Sequence, residues 1–275
     1  MIGVTGATGE VGSRVARRLA ARGERQRLIV RDGSRAPSLS GADVATFAGY
    51  GDVDGMKRAF AGVTTLFLVS AREAPDRVEQ HVRAVDTAVT SGVERIVYLS
   101  FIGAAADATF TFARHHFHTE EHIRASATAF TFSRQNLYMD LLPFLGGKEG
   151  IIRGPAGDGR VVPVARDDVA DAITALLVEP GHDGRIYELT GPDALTLTEV
   201  ADELTRTTGR KVVFENETIE QAYASRAEYG APSWEVEGWV STYTAIASGE
   251  LDVQTDHVAR LTGHQPIGVR EFLSR

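Results

Sequence analysis

VTGATGEVG, residues 4–12, spaces three glycines as G-x-x-G-x-x-G directly after an apolar β-branched run and before a helix-length segment. Glycine at Gly6 permits a tight turn. At Gly9 it lets backbone N–H groups approach a pyrophosphate, and at Gly12 it lets the helix pack close to the sheet. A phosphate held there lies on the helix N-terminus, where unpaired N–H groups and the helix dipole both favour an anion. A glycine-rich βα turn that binds nothing has the same spacing, so the surrounding chain must decide.

That surrounding is a βαβ series. Strands are predicted over residues 1–5, 27–30, 43–47, 65–69, 95–100 and 129–133, with helices over 10–22, 52–61, 76–91 and 116–126. In the 76–91 segment Val78, Val82, Val85 and Val89 form a 4-3-4 apolar stripe. Near-continuously apolar strands separated by helices imply a parallel sheet covered on both faces. The expected fold class is α/β, a doubly wound parallel Rossmann sheet with a small, mostly helical C-terminal lobe. In that setting Gly6, Ala7, Thr8, Gly9, Glu10, Val11 and Gly12 are assigned to a dinucleotide.

After Pro143 the alternation breaks in the turn-rich stretch GGKEGIIRGPAGDGR, residues 146–160. A helix over 167–177, a strand over 185–189, a helix from the capping box Thr196-x-x-Glu199 to about 208 and a strand over 211–214 follow. Residues 216–275 read as mostly helical and carry both tryptophans, as a lobe over the mouth of the sheet. The expected division is a core of 1–145 completed by 161–191, with 146–160 and 192–275 as a substrate lobe.

Bulk composition excludes several classes of function. The chain has 275 residues, 43% hydrophobic and 24% charged, enough for a sizeable core. A net charge of −8 without any basic run disfavours nucleic acid as a partner. The absence of cysteine excludes disulfides, zinc ribbons and thiol catalysis. No signal-peptide pattern and no apolar run of the ~20 residues that a membrane span needs are present, so a cytoplasmic location is expected; the expected state is a monomer or homodimer.

The end of the second strand chooses between the two nicotinamide dinucleotides, since an acid there accepts ribose hydroxyls and an arginine there pairs with the 2′-phosphate. The chain has Val30-Arg31-Asp32-Gly33-Ser34-Arg35. Arg31 and Arg35 favour NADPH, and Asp32 argues the other way. After the third strand, Asp52 has two readings, a contact to the adenine amino group and a plain helix N-cap.

The sequence resembles the NmrA-like atypical short-chain dehydrogenases, and within them the bacterial NADPH quinone reductases. The matching pieces are V-T-G-A-T-G-x-V-G (4–12), V-R-D-x-x-R (30–35), Gly-Asp-Val-Asp (51–54), Y-L-S (98–100), H-x-x-T-E (116–120) and S-R-Q-N-L-Y-M-D (133–140). G-D-G-R (157–160), A-R-D-D-V-A (165–170) and Y-E-L-T-G (187–191) continue the series in family order over about 190 residues. The resemblance implies a Rossmann core, NADPH held by the glycine loop with Arg31 and Arg35, and direct hydride transfer to a quinone-like acceptor. It also implies that Val69, Ser70, Ser100 and Tyr138 border the nicotinamide and substrate. The same superfamily contains dinucleotide-sensing regulators that act through a protein partner.

FARHHFHTEEHIRAS, residues 112–126, holds four of the eight histidines and occupies the helix that in most short-chain dehydrogenases carries Tyr-x-x-x-Lys. At that spacing it offers Phe117 and Glu121, and no Tyr-x-x-x-Lys occurs anywhere in the chain. The usual relay, in which the tyrosine protonates a nascent alkoxide, is therefore missing. A quinone needs less from the protein, because it is already electrophilic, with solvent, Tyr138 or His116 as candidate proton donors. His118, Glu121 and His122 also spell H-x-x-E-H, a zinc-hydrolase pattern with no evident third ligand. Asp167-Asp168 reads as a helix N-cap, Arg134 as an internal ion pair or a substrate contact, and Trp234, Trp239 and Tyr243 as core of the lobe.

Overall fold

The computed structural model describes residues 1–275. In chain order its strands and α-helices are β1 (Ile2–Thr5), α1 (Glu10–Ala21), β2 (Gln26–Val30), β3 (Ala42–Thr46), α2 (Val53–Phe60), β4 (Thr65–Leu68), α3 (Arg77–Thr90), β5 (Arg95–Phe101), α4 (Thr111–Ala125) and β6 (Ala129–Gln135). They continue as β7 (Ile151–Gly154), β8 (Arg160–Val161), α5 (Arg166–Val178), β9 (Arg185–Leu189), β10 (Leu195–Thr196), α6 (Leu197–Thr208), β11 (Val213–Asn216), α7 (Ile219–Arg226), α8 (Ser233–Ala247), α9 (His257–Thr262) and α10 (Val269–Leu273).

The chain forms two compact units. The first comprises Met1–Ser100, His116–Arg134 and Arg166–Tyr187, and the second Phe101–His115, Gln135–Ala165 and Glu188–Arg275. The expected division put 101–115 and 135–145 with the core. Their apolar side chains decide otherwise: Phe101, Phe110, Phe112, Met139 and Leu142 pack into the second unit's core with Val200, Leu204 and Ile246.

A seven-stranded sheet in the order β3-β2-β1-β4-β5-β6-β9 organises the first unit. β1 pairs in parallel with β2 and β4, β2 with β3, and β4 with β5. All four residues of β1 are buried, and Leu66, Phe67, Ile96 and Val97 are fully enclosed, as strands covered by helices on both faces require. β3 lies at the edge and leaves Val44 48% exposed. The strand order reverses between β1 and β4, the place where such sheets open a crevice at their carboxyl ends.

The second unit has two small sheets, β7 with β11 in parallel and β8 with β10 antiparallel, among helices α6 to α10. The capping box on Thr196 forms, with the Glu199 N–H donating to the Thr196 hydroxyl and the Thr196 N–H to the Glu199 carboxylate. Gly209 closes α6 in the left-handed region.

Four local expectations change. α4 begins at Thr111 rather than near residue 116, and β11 runs two residues later than expected. Asp167 and Asp168 lie inside the first turn of α5, and Asp167 pairs with Arg18 of α1 at 2.9 Å instead of capping. The valine stripe of α3 is only partly inward: Arg77, His81, Ala84 and Ala88 are buried, while Val78, Val82 and Val89 are half-buried. No helix is long and apolar enough to cross a membrane.

Candidate functional site

The glycine loop leaves β1 with Gly6 at φ +60°, a left-handed turn closed by the Gly9 N–H donating to the Gly6 carbonyl at 2.8 Å. Gly9 is then the extended N-cap of α1, and no side chain caps it. The first-turn N–H groups of α1 are thus left for an anion. A Cβ at Gly12 would collide with the Gly6 carbonyl oxygen and stand 2.7 Å from its carbonyl carbon. Gly6, Thr8 and Gly9 are exposed, whereas Ala7 and Val11 turn their side chains inward, so only their backbones can face a ligand. The Glu10 carboxylate is taken by Arg14 at 2.6 Å, which holds it below its ordinary range.

At the end of β2, Arg31 and Arg35 are exposed, and no carboxylate of the protein pairs with either. Asp32, the acid that stood against them, is occupied locally. One of its oxygens accepts from the Ser34 N–H at 3.0 Å and the Ser34 hydroxyl at 2.7 Å, which depresses its pKa. Two exposed guanidinium groups thus stand at this strand end against one carboxylate, whose hydrogen bonds are taken up by Ser34. Asp52 resolves as the N-cap of α2: its two oxygens accept from the Ala48 and Gly55 N–H groups, each at 2.9 Å. That geometry favours the capping alternative over an adenine contact.

Beyond β4, Val69 and Ser70 are half-buried and lie beside the loop; the Val69 side chain is 3.3 Å from where a Gly6 Cβ would sit. Thr5 donates to the Phe67 carbonyl at 3.1 Å and accepts from the Val69 N–H at 2.8 Å, and the Tyr50 hydroxyl donates to the Val69 carbonyl at 3.2 Å.

Two expected site residues turn inward. Ser100 is fully buried, and its hydroxyl donates to Glu120 at 2.6 Å. Glu120, also fully buried, is held by Arg134 through contacts of 2.8 and 2.6 Å and by Arg124 at 3.1 Å, so Arg134 is an internal ion-pair partner. His116 is 4% exposed; its Nδ1 lies 2.9 Å from the Tyr98 hydroxyl and its Nε2 3.1 Å from Arg77 Nη2. The imidazole is thus built into the interior rather than presenting a proton to an acceptor. Burial pushes the Tyr98 phenol well above its ordinary pKa. Tyr138 stands in the second unit, half-buried, where it bridges Val164 just before the turn Met139–Phe144.

The zinc pattern does not converge. His118 is exposed, Glu121 pairs with Arg124, and His122 lies 2.7 Å from Asp86, with no third ligating side chain gathered at His118 and His122. In the second unit Trp234 packs edge-on to Phe112 and Trp239 to Tyr229, as lobe core. Tyr243 lies under the Arg226 guanidinium, 5.2 Å from its centre. Tyr50, Arg77 and His81 are not singled out by the sequence. The one available signal was Arg77-x-x-x-His81 in register with Ala84 and Ala88, a buried helix stripe that begins with two polar residues.

Comparison with known proteins gives concordant results. The NmrA-like family model matches residues 1–259. Quinone oxidoreductase 2 of Escherichia coli is 30% identical over 282 residues, covering 100% of this chain and 98% of that one. The structure of that quinone oxidoreductase complexed with NADPH superposes with a TM-score of 0.90, at 30% identity over 100% of this chain and 99% of that one. An NAD(P)H azoreductase of Xenophilus azovorans is 30% identical over 99% of this chain and 96% of its own. The Citrobacter sp. triphenylmethane reductase complexed with NADP(H) gives a TM-score of 0.88 at 29% identity, with 99% of both chains covered. With its glycine loop, reversed strand order and ordered motifs, the chain belongs to the NmrA-like family.

Proposed function

We propose that this protein is an NADPH-dependent reductase that passes a hydride directly to a quinone-like or other conjugated small-molecule acceptor in the cytoplasm. At the coarser level it is an NAD(P)H-dependent oxidoreductase, in keeping with the quinone oxidoreductase and azoreductase it matches along nearly its whole length. The observation that carries the choice of NADPH is the end of β2, where Arg31 and Arg35 are exposed and form no ion pair while Asp32 accepts hydrogen bonds from Ser34.

When bound, the cofactor supplies the hydride. The chain's own residues bind and orient it. The first-turn amides of α1 and the Gly6–Gly9 turn hold the pyrophosphate, and Arg31 and Arg35 hold the 2′-phosphate. The backbone at Val69 and Ser70 borders the cofactor across the switch point. Phe117 and Glu121 at the usual tyrosine and lysine spacing support an acceptor that needs no alkoxide protonation by that pair. With His116 engaged by Arg77 and Tyr98, the proton that follows the hydride is left to Tyr138 or to solvent.

The test is the loss of NADPH absorbance with a panel of quinones and azo compounds. Turnover on at least one conjugated acceptor is expected. Tight NADPH binding with no turnover on any of them would replace the reductase by a dinucleotide-sensing regulator.

A further inference from the structure

We propose that Arg77 and His81 are positioning residues for the dinucleotide, which together fix the N–H and the C=O of Ala71 and thereby the backbone at Val69 and Ser70. The proposal rests on the dinucleotide site described above and concerns residues outside the glycine loop.

Four backbone groups within three residues are held by side chains here. The Val69 N–H donates to Thr5 at 2.8 Å, and the Val69 carbonyl accepts from Tyr50 at 3.2 Å. The Ala71 N–H donates to His81 Nε2 at 2.8 Å, and the Ala71 carbonyl accepts from Arg77 Nε at 2.9 Å. Loop backbone ordinarily leaves such groups to water. This strip instead has an anchor from β1, one from the turn before α2 and two from α3. It follows β4, which flanks the switch point with β1, so its backbone is where a dinucleotide crosses the sheet.

The two anchors from α3 are themselves fixed. Arg77 is 4% and His81 0% exposed. Arg77 Nη2 reaches His116 Nε2 at 3.1 Å, and His81 Nδ1 lies 2.8 Å from the Thr119 hydroxyl. The Tyr98 hydroxyl stands between the imidazoles, 2.9 Å from His116 Nδ1 and 3.4 Å from His81 Nδ1. A guanidinium and a backbone N–H can only donate, so both Nε2 atoms must accept. In the neutral form each imidazole then carries its proton on Nδ1. The His116 Nδ1–H then donates to the Tyr98 hydroxyl and the His81 Nδ1–H to the Thr119 hydroxyl, so both imidazoles are held at each nitrogen and make a stiff support for Ala71. Packing alone does not call for these residues, since burying a guanidinium that no ion pair neutralises is costly and an apolar side chain would fill the space.

The experiment is direct titration of NADPH onto wild type, His81→Gln, His81→Leu, Arg77→Lys and Arg77→Met, with urea midpoints recorded for each. Glutamine places an amide oxygen where Nε2 accepts from Ala71, whereas leucine keeps apolar volume and offers no acceptor. His81→Leu and Arg77→Met are expected to raise the NADPH dissociation constant ~10-fold or more in folded protein, the scale of a small misplacement of binding groups. His81→Gln should stay nearest wild type, and Arg77→Lys should fall between. A packing role predicts the opposite order for position 81, with leucine the milder change, and that order would overturn the proposal. Unchanged dissociation constants in all folded variants would also overturn it, and the Gln and Lys variants decide should the apolar ones fail to fold. Loss confined to these variants leaves the dinucleotide site standing, while a wild type that binds no NADPH removes site and clamp together.

Discussion

Arg31 and Gly12 carry the proposed dinucleotide site at the scale of single residues, one through charge and the other through the lack of a side chain. Arg31 is exposed and unpaired by any acid, so its charge is available to a 2′-phosphate that NADH does not have. Arg31→Ala is expected to raise the dissociation constant for NADPH by ~10-fold or more and to leave that for NADH nearly unchanged, read by direct titration of both. Equal losses would refute the cofactor assignment. Gly12 is where α1 meets the Gly6 carbonyl, and an alanine there has to push the turn open. Gly12→Ala should abolish measurable NADPH binding and cost about 1–3 kcal/mol of stability in urea unfolding, the range of overpacked sites. Both residues are legible in the sequence, because a glycine triplet after a strand and arginines after the next strand have fixed structural meaning. The fate of Asp32 and Asp52 is not. Whether an exposed carboxylate meets a ligand or its own backbone depends on where Ser34, Ala48 and Gly55 point, and spacing does not record that.

At the scale of elements, two carboxylates show how helices are fastened. Glu120 of α4 sits fully buried among Arg134 of β6, Arg124 and Ser100 of β5. Glu120→Ala strands the Arg134 charge in the interior, and a loss of about 3–5 kcal/mol in urea unfolding is expected. Glu203 of α6 holds Arg270 of α10 at 2.6 Å and Arg206 at 2.5 Å, and those two guanidinium groups hold its pKa down at about 2. A carboxylate whose folded pKa is depressed stabilises the fold above its unfolded value and loses that contribution as pH falls through the folded one. The Tm of wild type should therefore exceed that of Glu203→Gln above pH 4.5, and the gap should close as pH falls towards 2. Solvent screening keeps the difference at about 1 kcal/mol or less. Element positions were largely readable, since periodicity reports which face of a helix or strand is apolar. α3 was misread for the same reason: its valines suggested the inward face, but Arg77 and His81 share that face with Ala84 and Ala88. Polar side chains can be buried when they have partners, and those partners come from distant parts of the chain.

For the whole molecule, a ligand that binds only the folded state must stabilise it. NADPH at a hundred times its dissociation constant is expected to add about 2.7 kcal/mol and raise Tm by several degrees, measured by thermal unfolding with and without cofactor. NADH at the same concentration should do less, and equal shifts would contradict the role of Arg31 and Arg35. The sequence by itself determined the parallel α/β sheet, the glycine turn at Gly6–Gly9, the two arginines at the end of β2 and the missing Tyr-x-x-x-Lys pair, because each depends on residues close together in the chain. Only the tertiary structure decided that residues 101–115 belong with the second core, that Ser100 and His116 serve the interior, and that Arg77 and His81 grip Ala71. Those outcomes rest on contacts between segments remote in sequence, and a buried polar group is placed by whichever distant partner satisfies its hydrogen bonds.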